Sequence, residues 1–212
     1  MITQHRPISS RLQAIGFAVL LGLALLPQRA PAAEDASAVV RGFYATLLET
    51  MKNADRLGAE GRYATLAPEI ATAFDIPFMT RLTVGPSWGS LSGSEQSRAQ
   101  AAFARYIAAT YAEEFDGYAG QKLEVTDERP VAYGILVRSR IVKANGEPVA
   151  MDYLLRRQGG GWRIADVYLD GTISEVATRR SDFAAILKDG GIDGLIAALE
   201  AKAASLTGAK TS

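Results

Sequence analysis

The sequence predicts an α+β fold in which a four-stranded, mainly antiparallel sheet packs against several helices. Apolar residues recur at helical spacing between about residues 37 and 115, alternate singly after Gly117, and return to helical spacing from about residue 175. Because like elements follow one another in runs, the order favours α+β over repeated βαβ units. A length of 212 residues is enough for one domain.

The first 33 residues have the pattern of a secretory signal peptide. Arg6 and Arg11 precede an uncharged apolar run at residues 14–26, and residues 30–33 offer small side chains for cleavage. The apolar run rises only about 20 Å as a helix, which is too short for a hydrocarbon core of about 30 Å. We therefore expect cleavage of residues 1–33, with residues 34–212 forming a single exported domain.

Composition excludes several kinds of catalytic and metal site. The chain has no Cys, and its single His, His5, falls in the expected leader. Thiolate chemistry, a Ser-His-Asp triad and His- or Cys-ligated metals are therefore excluded from the mature chain. We expect no cofactor and no metal. The leader also holds three of the 23 basic residues and no acid, so the mature chain has a net charge of −3, which argues against nucleic-acid binding.

The helices before the sheet are predicted from capping residues and apolar stripes. Ser37 is the expected N-cap of the first, Pro68 is expected to separate two short ones, and Ser92 with Glu95 forms a capping box. The predicted helices cover residues 37–52, 58–66, 69–74, a segment beginning at Pro77, and residues 94–115.

The four strands are predicted from alternation and turn residues. They cover residues 121–127, 132–142, 149–157 and 162–169, with turns at Asn145-Gly146 and at residues 159–161. Alternation predicts an apolar face. It carries Tyr133, Ile135, Val137 and Ile141 on one strand and Met151, Tyr153 and Leu155 on the next. Alternation also predicts that three arginines point away, Arg138, Arg140 and Arg156. Two closing helices, residues 175–188 and 192–205, are separated by two glycines.

Two patterns invite a catalytic interpretation. Residues 85–89, Gly-Pro-Ser-Trp-Gly, match a nucleophile elbow, but the segment lies between helices and the mature chain has no His base, so we expect a loop. Asp166 and Asp170 share a face of the last strand about 13 Å apart, and Asp152 lies one strand away. A buried carboxylate there could act as a general base; the alternative is a solvated or hydrogen-bonded side chain.

A group of arginines on adjacent strands leaves two interpretations open. The group consists of Arg138, Arg140, Arg156 and Arg163. Such a group is most often the solvated outer face of a sheet. It could instead meet anionic lipid headgroups or an acidic partner.

The C-terminal third carries a series of motifs that resembles a known family. Gly161-Trp162-Arg163-Ile164-Ala165-Asp166-Val167 is followed by Leu169-Asp170-Gly171-Thr172-Ile173-Ser174, then by an R-x-x-F segment at residues 180–183 and by a G-x-x-x-L-I-x-x-L segment at residues 191–199. Upstream, Val84-Gly85-x-x-Trp88 fits the same order. Together these segments resemble the MlaC or toluene-tolerance auxiliary family of periplasmic phospholipid-binding proteins, which includes a hopanoid-associated branch, HpnM.

The resemblance implies an NTF2-like fold with an apolar pocket between sheet and helices. It also implies a carrier without catalytic activity that moves phospholipid or a hopanoid-type lipid between an inner-membrane ABC transporter complex and an outer-membrane lipoprotein complex, maintaining outer-membrane lipid asymmetry. Face assignments along the predicted elements then give the expected pocket lining. The residues are Phe43, Leu47, Phe78, Leu82, Phe103, Ile107, Tyr111, Ile135, Val137, Tyr153, Leu155, Trp162, Ile164, Phe183 and Leu187.

Three functions remain open at the level of sequence. A continuous apolar cavity favours the lipid carrier. A buried, isolated carboxylate with a raised pKa favours an NTF2-like enzyme with Asp166 or Asp152 as base. A filled core favours a non-binding adaptor of an envelope complex, because periodicity alone cannot distinguish a filled core from one that holds a ligand.

Overall fold

Five α-helices and a five-stranded antiparallel sheet make up residues 35–208, the part of the chain that the computed structural model describes. The expected leader and its cleavage site lie outside these residues. The helices are α1 (Ala36–Lys52), α2 (Ala54–Ala73), α3 (Ile76–Val84), α4 (Gly93–Glu114) and α5 (Glu175–Thr207). The strands are β1 (Lys122–Val131), β2 (Gly134–Val142), β3 (Pro148–Gln158), β4 (Gly161–Leu169) and β5 (Ile173–Ser174). The predicted α+β class is confirmed.

The sheet is a meander in which each strand pairs with the next one along the chain. The prediction of four strands missed β5, which has only two residues and pairs Ile173 with Leu169 and Ser174 with Tyr168. Two residues are too few for alternation to be recognised. β5 matters nonetheless, because it leads directly into α5 at the edge of the sheet.

The turn between β1 and β2 corrects the prediction for Tyr133. This residue was expected on the apolar face, but it lies in the turn and is 89% exposed. The turn residues, Ala132 and Tyr133, are neither Gly nor Asn, so the alternation runs through them without a visible break. β2 begins at Gly134, which pairs with Val131. Only glycine fits there, because a Cβ atom would collide with the carbonyl oxygen of Leu155.

Helices α1 and α2 depart from the prediction in detail. Asp35, not Ser37, caps α1, and Ser37 instead donates its hydroxyl to Glu128 at 2.5 Å. α2 continues through Pro68, where a break was expected. Proline has no N–H, so the carbonyl of Ala64 loses its helical hydrogen bond. Both Pro68 and Ala64 are exposed to water. The helical geometry is interrupted at Gly58 instead, with φ of 62° and ψ of −179°.

The junction between α2 and α3 is attached to the edge of β4. The backbone N–H of Asp75 donates to the carbonyl of Ile164 at 2.8 Å, and the Asp75 carboxylate caps α3 through the N–H of Phe78. Asp75 is fully buried and pairs with Arg156 at 2.6 Å. Arg156 was expected to point away from the helices. Its guanidinium instead lies 4.3 Å from the ring centroid of Phe78, because the buried carboxylate needs a counter-charge.

Helix α4 begins at the predicted capping box, with both Ser92–Glu95 hydrogen bonds present. Helix α5 is interrupted at Gly191, with φ of 61° and ψ of −159°, which agrees with two predicted segments separated by glycines. Salt bridges join α4 to α5, from Arg98 to Asp193 at 2.7 Å and from Arg105 to Glu200. The two helices therefore pack against each other.

The core lies between the helices and the apolar face of the sheet. Phe43 of α1 is at its centre, edge-on to Phe74 at 5.1 Å, to Tyr111 at 5.2 Å and to Tyr153 at 6.4 Å. Such edge-to-face aromatic packing contributes beyond the area that it buries. In residues 35–208 none of the helices combines the length and hydropathy needed to cross a membrane.

Candidate functional site

A cavity of ≈ 210 Å³ lies between the sheet and helices α3, α4 and α5, next to the aromatic core. Its walls are apolar over most of their area, with a few polar side chains at one side. The lining residues are Phe74, Met79, Ile107, Thr110, Tyr111, Glu114, Met151, Val167, Leu169, Glu175 and Arg179.

The periodicity of the chain explains why these side chains converge. On α4 the lining residues follow the spacing i, i+3, i+4 and i+7 from Ile107 to Glu114, which is one face of a helix. On β4, Val167 and Leu169 are two residues apart and share a face of the sheet. Met151 of β3 pairs with Leu169, so it extends the same apolar surface.

The aromatic wall of the cavity is formed by Tyr111 and its neighbours. The Tyr111 ring stacks on Phe115 at 5.7 Å and meets Phe74 edge-on at 5.8 Å. Burial holds the pKa of the Tyr111 phenol far above its ordinary value of 10. Tyr111 is therefore neutral in the physiological range, and its ring forms part of the cavity wall.

The polar side of the cavity carries three charged residues, Glu114, Glu175 and Arg179, which we call the charged rim. The Arg179 guanidinium pairs with Glu175 at 3.0 Å and with Asp182 at 3.6 Å. Its Nε is buried and has no hydrogen-bond partner within residues 35–208. Burial raises the pKa of Glu114, the charge of Glu175 raises it further, and Arg179 opposes the rise.

The candidate catalytic carboxylates lie outside the cavity. Asp166 accepts hydrogen bonds from the N–H groups of Val167 and Val176 and from the hydroxyl of Ser174. Burial raises its pKa, and the three hydrogen bonds oppose that rise. Asp152 accepts the N–H of Ser139 at 3.1 Å. Both carboxylates are thus engaged in holding strands and a helix together. Residues 35–208 hold no group of three His, Cys, Asp or Glu that is placed to bind a metal.

The predicted pocket residues divide into three groups. Ile107 and Tyr111 line the cavity. A second group is buried in the surrounding core and does not line the cavity: Phe43, Leu47, Phe103, Val137, Tyr153, Leu155, Ile164 and Phe183. A third group is half-buried and lies away from the cavity: Phe78, Leu82, Ile135, Trp162 and Leu187. The cavity is thus off-centre, because aromatic rings fill the middle of the core.

Several lining residues were not predicted. Met151, Val167 and Leu169 follow the strand alternation and were within reach of it. Glu114 and Arg179 were not, because charged residues on a helix are ordinarily solvated and give no apolar signal. Glu114 does occupy the i+7 position from Ile107, and this spacing is the one signal that could have found it.

The predicted arginine face is partly neutralised by acids. Arg140 pairs with Glu124 at 2.7 Å, and Arg138 lies 3.7 Å from Asp152. Both arginines are exposed, as the alternation predicts, whereas Arg163 is half-buried. This neutralisation favours the solvated outer face over a binding surface for anionic lipid.

Comparisons with known proteins point to one family. The family model described as MlaC protein matches residues 42–201. A solved structure from Ralstonia solanacearum, described as a phospholipid-binding protein in complex with a phospholipid, has a TM-score of 0.70 and 26% sequence identity. The match covers 81% of this chain and 98% of that chain. The family match runs from α1 into α5 and therefore includes every strand of the sheet.

Proposed function

The chain belongs to the MlaC family, and on that premise we propose that it is a periplasmic carrier that holds the acyl chains of a phospholipid or hopanoid-type lipid. The observation that supports the proposal most directly is the apolar cavity between the sheet and helices α3, α4 and α5. The structural likeness to a phospholipid-binding protein supports the same ligand class.

The energetics of acyl-chain burial suit a carrier. Removing a chain of about 16 carbons from water contributes on the order of 12 kcal/mol, at about 0.8 kcal/mol for each CH₂ group. The competing environment is a bilayer, where the chain is equally dry. Exchange between bilayer and protein is therefore close to neutral, whereas escape into water is strongly unfavourable. Such a protein needs apolar walls and no catalytic group.

The place of action follows from the leader and the family. Cleavage after residue 32 or 33 would release the domain into the periplasm. There it would exchange lipid with an inner-membrane ABC transporter complex and an outer-membrane lipoprotein complex. N-terminal sequencing of the exported protein is expected to begin at Ala33 or Glu34; Met1 retained in a membrane fraction would contradict export by cleavage.

The carrier function is tested by the lipid content of the protein itself. The chain is expressed from its full sequence, exported, and purified from the periplasm without detergent. Native mass spectrometry is expected to show a mass increment for bound lipid, and organic extraction to return a lipid with acyl chains. A protein that is folded by circular dichroism and free of lipid, and that also takes none from phospholipid vesicles, would contradict the carrier function.

A further inference from the structure

The charged rim has a property that a simple apolar pocket does not need. Arg179 lines the cavity, and its side chain is only 22% exposed, yet its buried Nε donates to no atom of the described residues. A guanidinium donor left without an acceptor is costly when buried. Of the buried side-chain nitrogen and oxygen atoms within residues 35–208, this is the one that lacks a hydrogen bond.

The charges around Arg179 restrict the kind of ligand. Glu175 and Asp182 pair with Arg179, and Glu114 lines the same cavity. The carboxylates outnumber the guanidinium, so a ligand with only negative charge would be repelled. A ligand with both a negative and a positive group can satisfy both parts of the rim. Burial and the charge of Glu175 raise the pKa of Glu114 more than Arg179 lowers it, so the guanidinium does not fully compensate this carboxylate.

We propose that the charged rim binds a zwitterionic phospholipid headgroup, with its phosphate on the guanidinium of Arg179 and its ammonium group beside Glu114 and Glu175. The inference deepens the proposed carrier function and rests on it. A guanidinium matches phosphate oxygens with two parallel donors, and the free Nε is one of them. The acyl chains would then extend along the apolar wall towards Phe74 and Met79.

The inference predicts selection among lipids that have identical tails. The full chain is expressed, and the exported protein is incubated with vesicles of equal parts dioleoylphosphatidylethanolamine, dioleoylphosphatidylglycerol and dioleoylglycerol. Extraction and mass spectrometry give the ratio of the lipids bound. Wild type is expected to prefer the ethanolamine lipid to the glycerol phospholipid by on the order of fivefold, which corresponds to about 1 kcal/mol.

Two pairs of variants separate the two halves of the rim. Glu114→Gln is expected to remove most of the preference for phosphatidylethanolamine over phosphatidylglycerol. Glu113→Gln, one residue away on α4 but not lining the cavity, is expected to keep it. Arg179→Gln is expected to lower the bound amount of both phospholipids, relative to bound dioleoylglycerol, by roughly tenfold, because it removes a charge-assisted hydrogen bond. Arg180→Gln, exposed and adjacent on α5, is expected to leave that ratio unchanged.

The outcomes distinguish this inference from the carrier function. A wild type that takes up none of the three lipids overturns both. If wild type binds equal amounts of the two phospholipids, the headgroup assignment alone is overturned. The same holds if Glu114→Gln and Glu113→Gln give the same ratio of phosphatidylethanolamine to phosphatidylglycerol. Free phosphoethanolamine, which has no tails, is added at the same concentration as the lipid and is expected to leave the ratio unchanged, because the acyl chains supply most of the binding energy. If it displaces the lipid at this concentration, the rim binds a soluble amino phosphate and the assignment to lipid is wrong. If Arg179→Gln does not fold, the Glu114 and Glu113 pair still decides the outcome.

Discussion

Asp166 shows how one side chain can join three elements. It lies on β4, accepts the hydroxyl of Ser174 from β5 at 2.6 Å, and accepts the N–H of Val176 from the first turn of α5 at 3.1 Å. The N–H of Val167 makes a third hydrogen bond at 2.8 Å. Because α5 supplies Glu175 and Arg179 to the charged rim, the Asp166 carboxylate positions the rim without touching the cavity.

The first prediction concerns the hydrogen bonds of Asp166. Asp166→Ala leaves two backbone N–H groups without acceptors, so we expect the free energy of unfolding to fall by about 2–4 kcal/mol. Asp166→Asn keeps one oxygen for the two N–H groups and offers its amide to Ser174, so we expect a loss below about 1 kcal/mol. Urea denaturation measures both. Equal losses for Ala and Asn would mean that the charge, and not the hydrogen bonds, stabilises the junction.

The second prediction is a pH dependence. Burial raises the pKa of Asp166 above its ordinary value of 3.8, so the folded protein binds this proton more tightly than the unfolded chain does. Wild type should therefore gain stability relative to Asp166→Asn as pH falls through the raised pKa, with the gain complete below 3.8. Well above the raised pKa this gain is absent. Urea titrations of both proteins across this range are the measurement, and a relative loss for wild type on acidification would indicate a lowered pKa.

At the scale of elements, the break in α5 depends on the backbone conformation of Gly191. Its φ of 61° with ψ of −159° falls in a region that only glycine adopts readily. Gly190, one residue earlier, lies within the helix and has no such φ. No heavy atom lies within 4 Å of a Cβ built at either position. The two glycines therefore differ in backbone conformation and not in available space.

The third prediction uses that pair. Gly191→Ala should destabilise the fold by about 1–3 kcal/mol because it forces a side chain into a strained conformation. Gly190→Ala should stabilise the fold by about 0.5–1 kcal/mol because it reduces the backbone freedom of the unfolded chain. Thermal or urea denaturation of the two variants measures the difference. If the two substitutions have the same sign, the break does not depend on the positive φ.

Much of the element order could be predicted from the sequence, and the misses have local causes. The capping box at Ser92 and the glycines before Ile192 are strong local signals, and both are confirmed. The helix break expected at Pro68 was wrong because an exposed helix position tolerates a missing hydrogen bond. The strand position expected for Tyr133 was wrong because its turn contains no typical turn-forming residue. Each miss reflects solvent exposure or tertiary pairing, which periodicity does not encode.

At the scale of the whole molecule, the cavity is the feature that sequence could predict least. Apolar periodicity assigns faces, and it placed Val137 and Tyr153 on the buried face of the sheet, where both are fully buried. It cannot say which part of a buried face is filled. Aromatic rings close the centre around Phe43, and the gap remains towards the end of β4. Packing of side chains from the sheet and from helices α3, α4 and α5 decides this, and no local sequence pattern records it.

The size of the cavity sets a condition on lipid binding. A volume of ≈ 210 Å³ is below the range of about 300–1,000 Å³ typical of sites that enclose small ligands. On the proposed function, the walls must therefore move apart when acyl chains enter.

The fourth prediction tests the cavity by filling it. Ile107→Trp places a larger side chain on the cavity wall, so it should reduce the lipid bound per protein by roughly tenfold or more, a loss of about 1.4 kcal/mol in binding. Ile186→Trp is the matched control, because Ile186 is also a half-buried helical isoleucine but does not line the cavity. Overpacking at either site should cost about 1–3 kcal/mol of stability, so both variants are first checked by thermal denaturation. Native mass spectrometry after incubation with phospholipid vesicles then gives the bound fraction. If Ile107→Trp carries as much lipid as Ile186→Trp and wild type, the acyl chains occupy another part of the molecule.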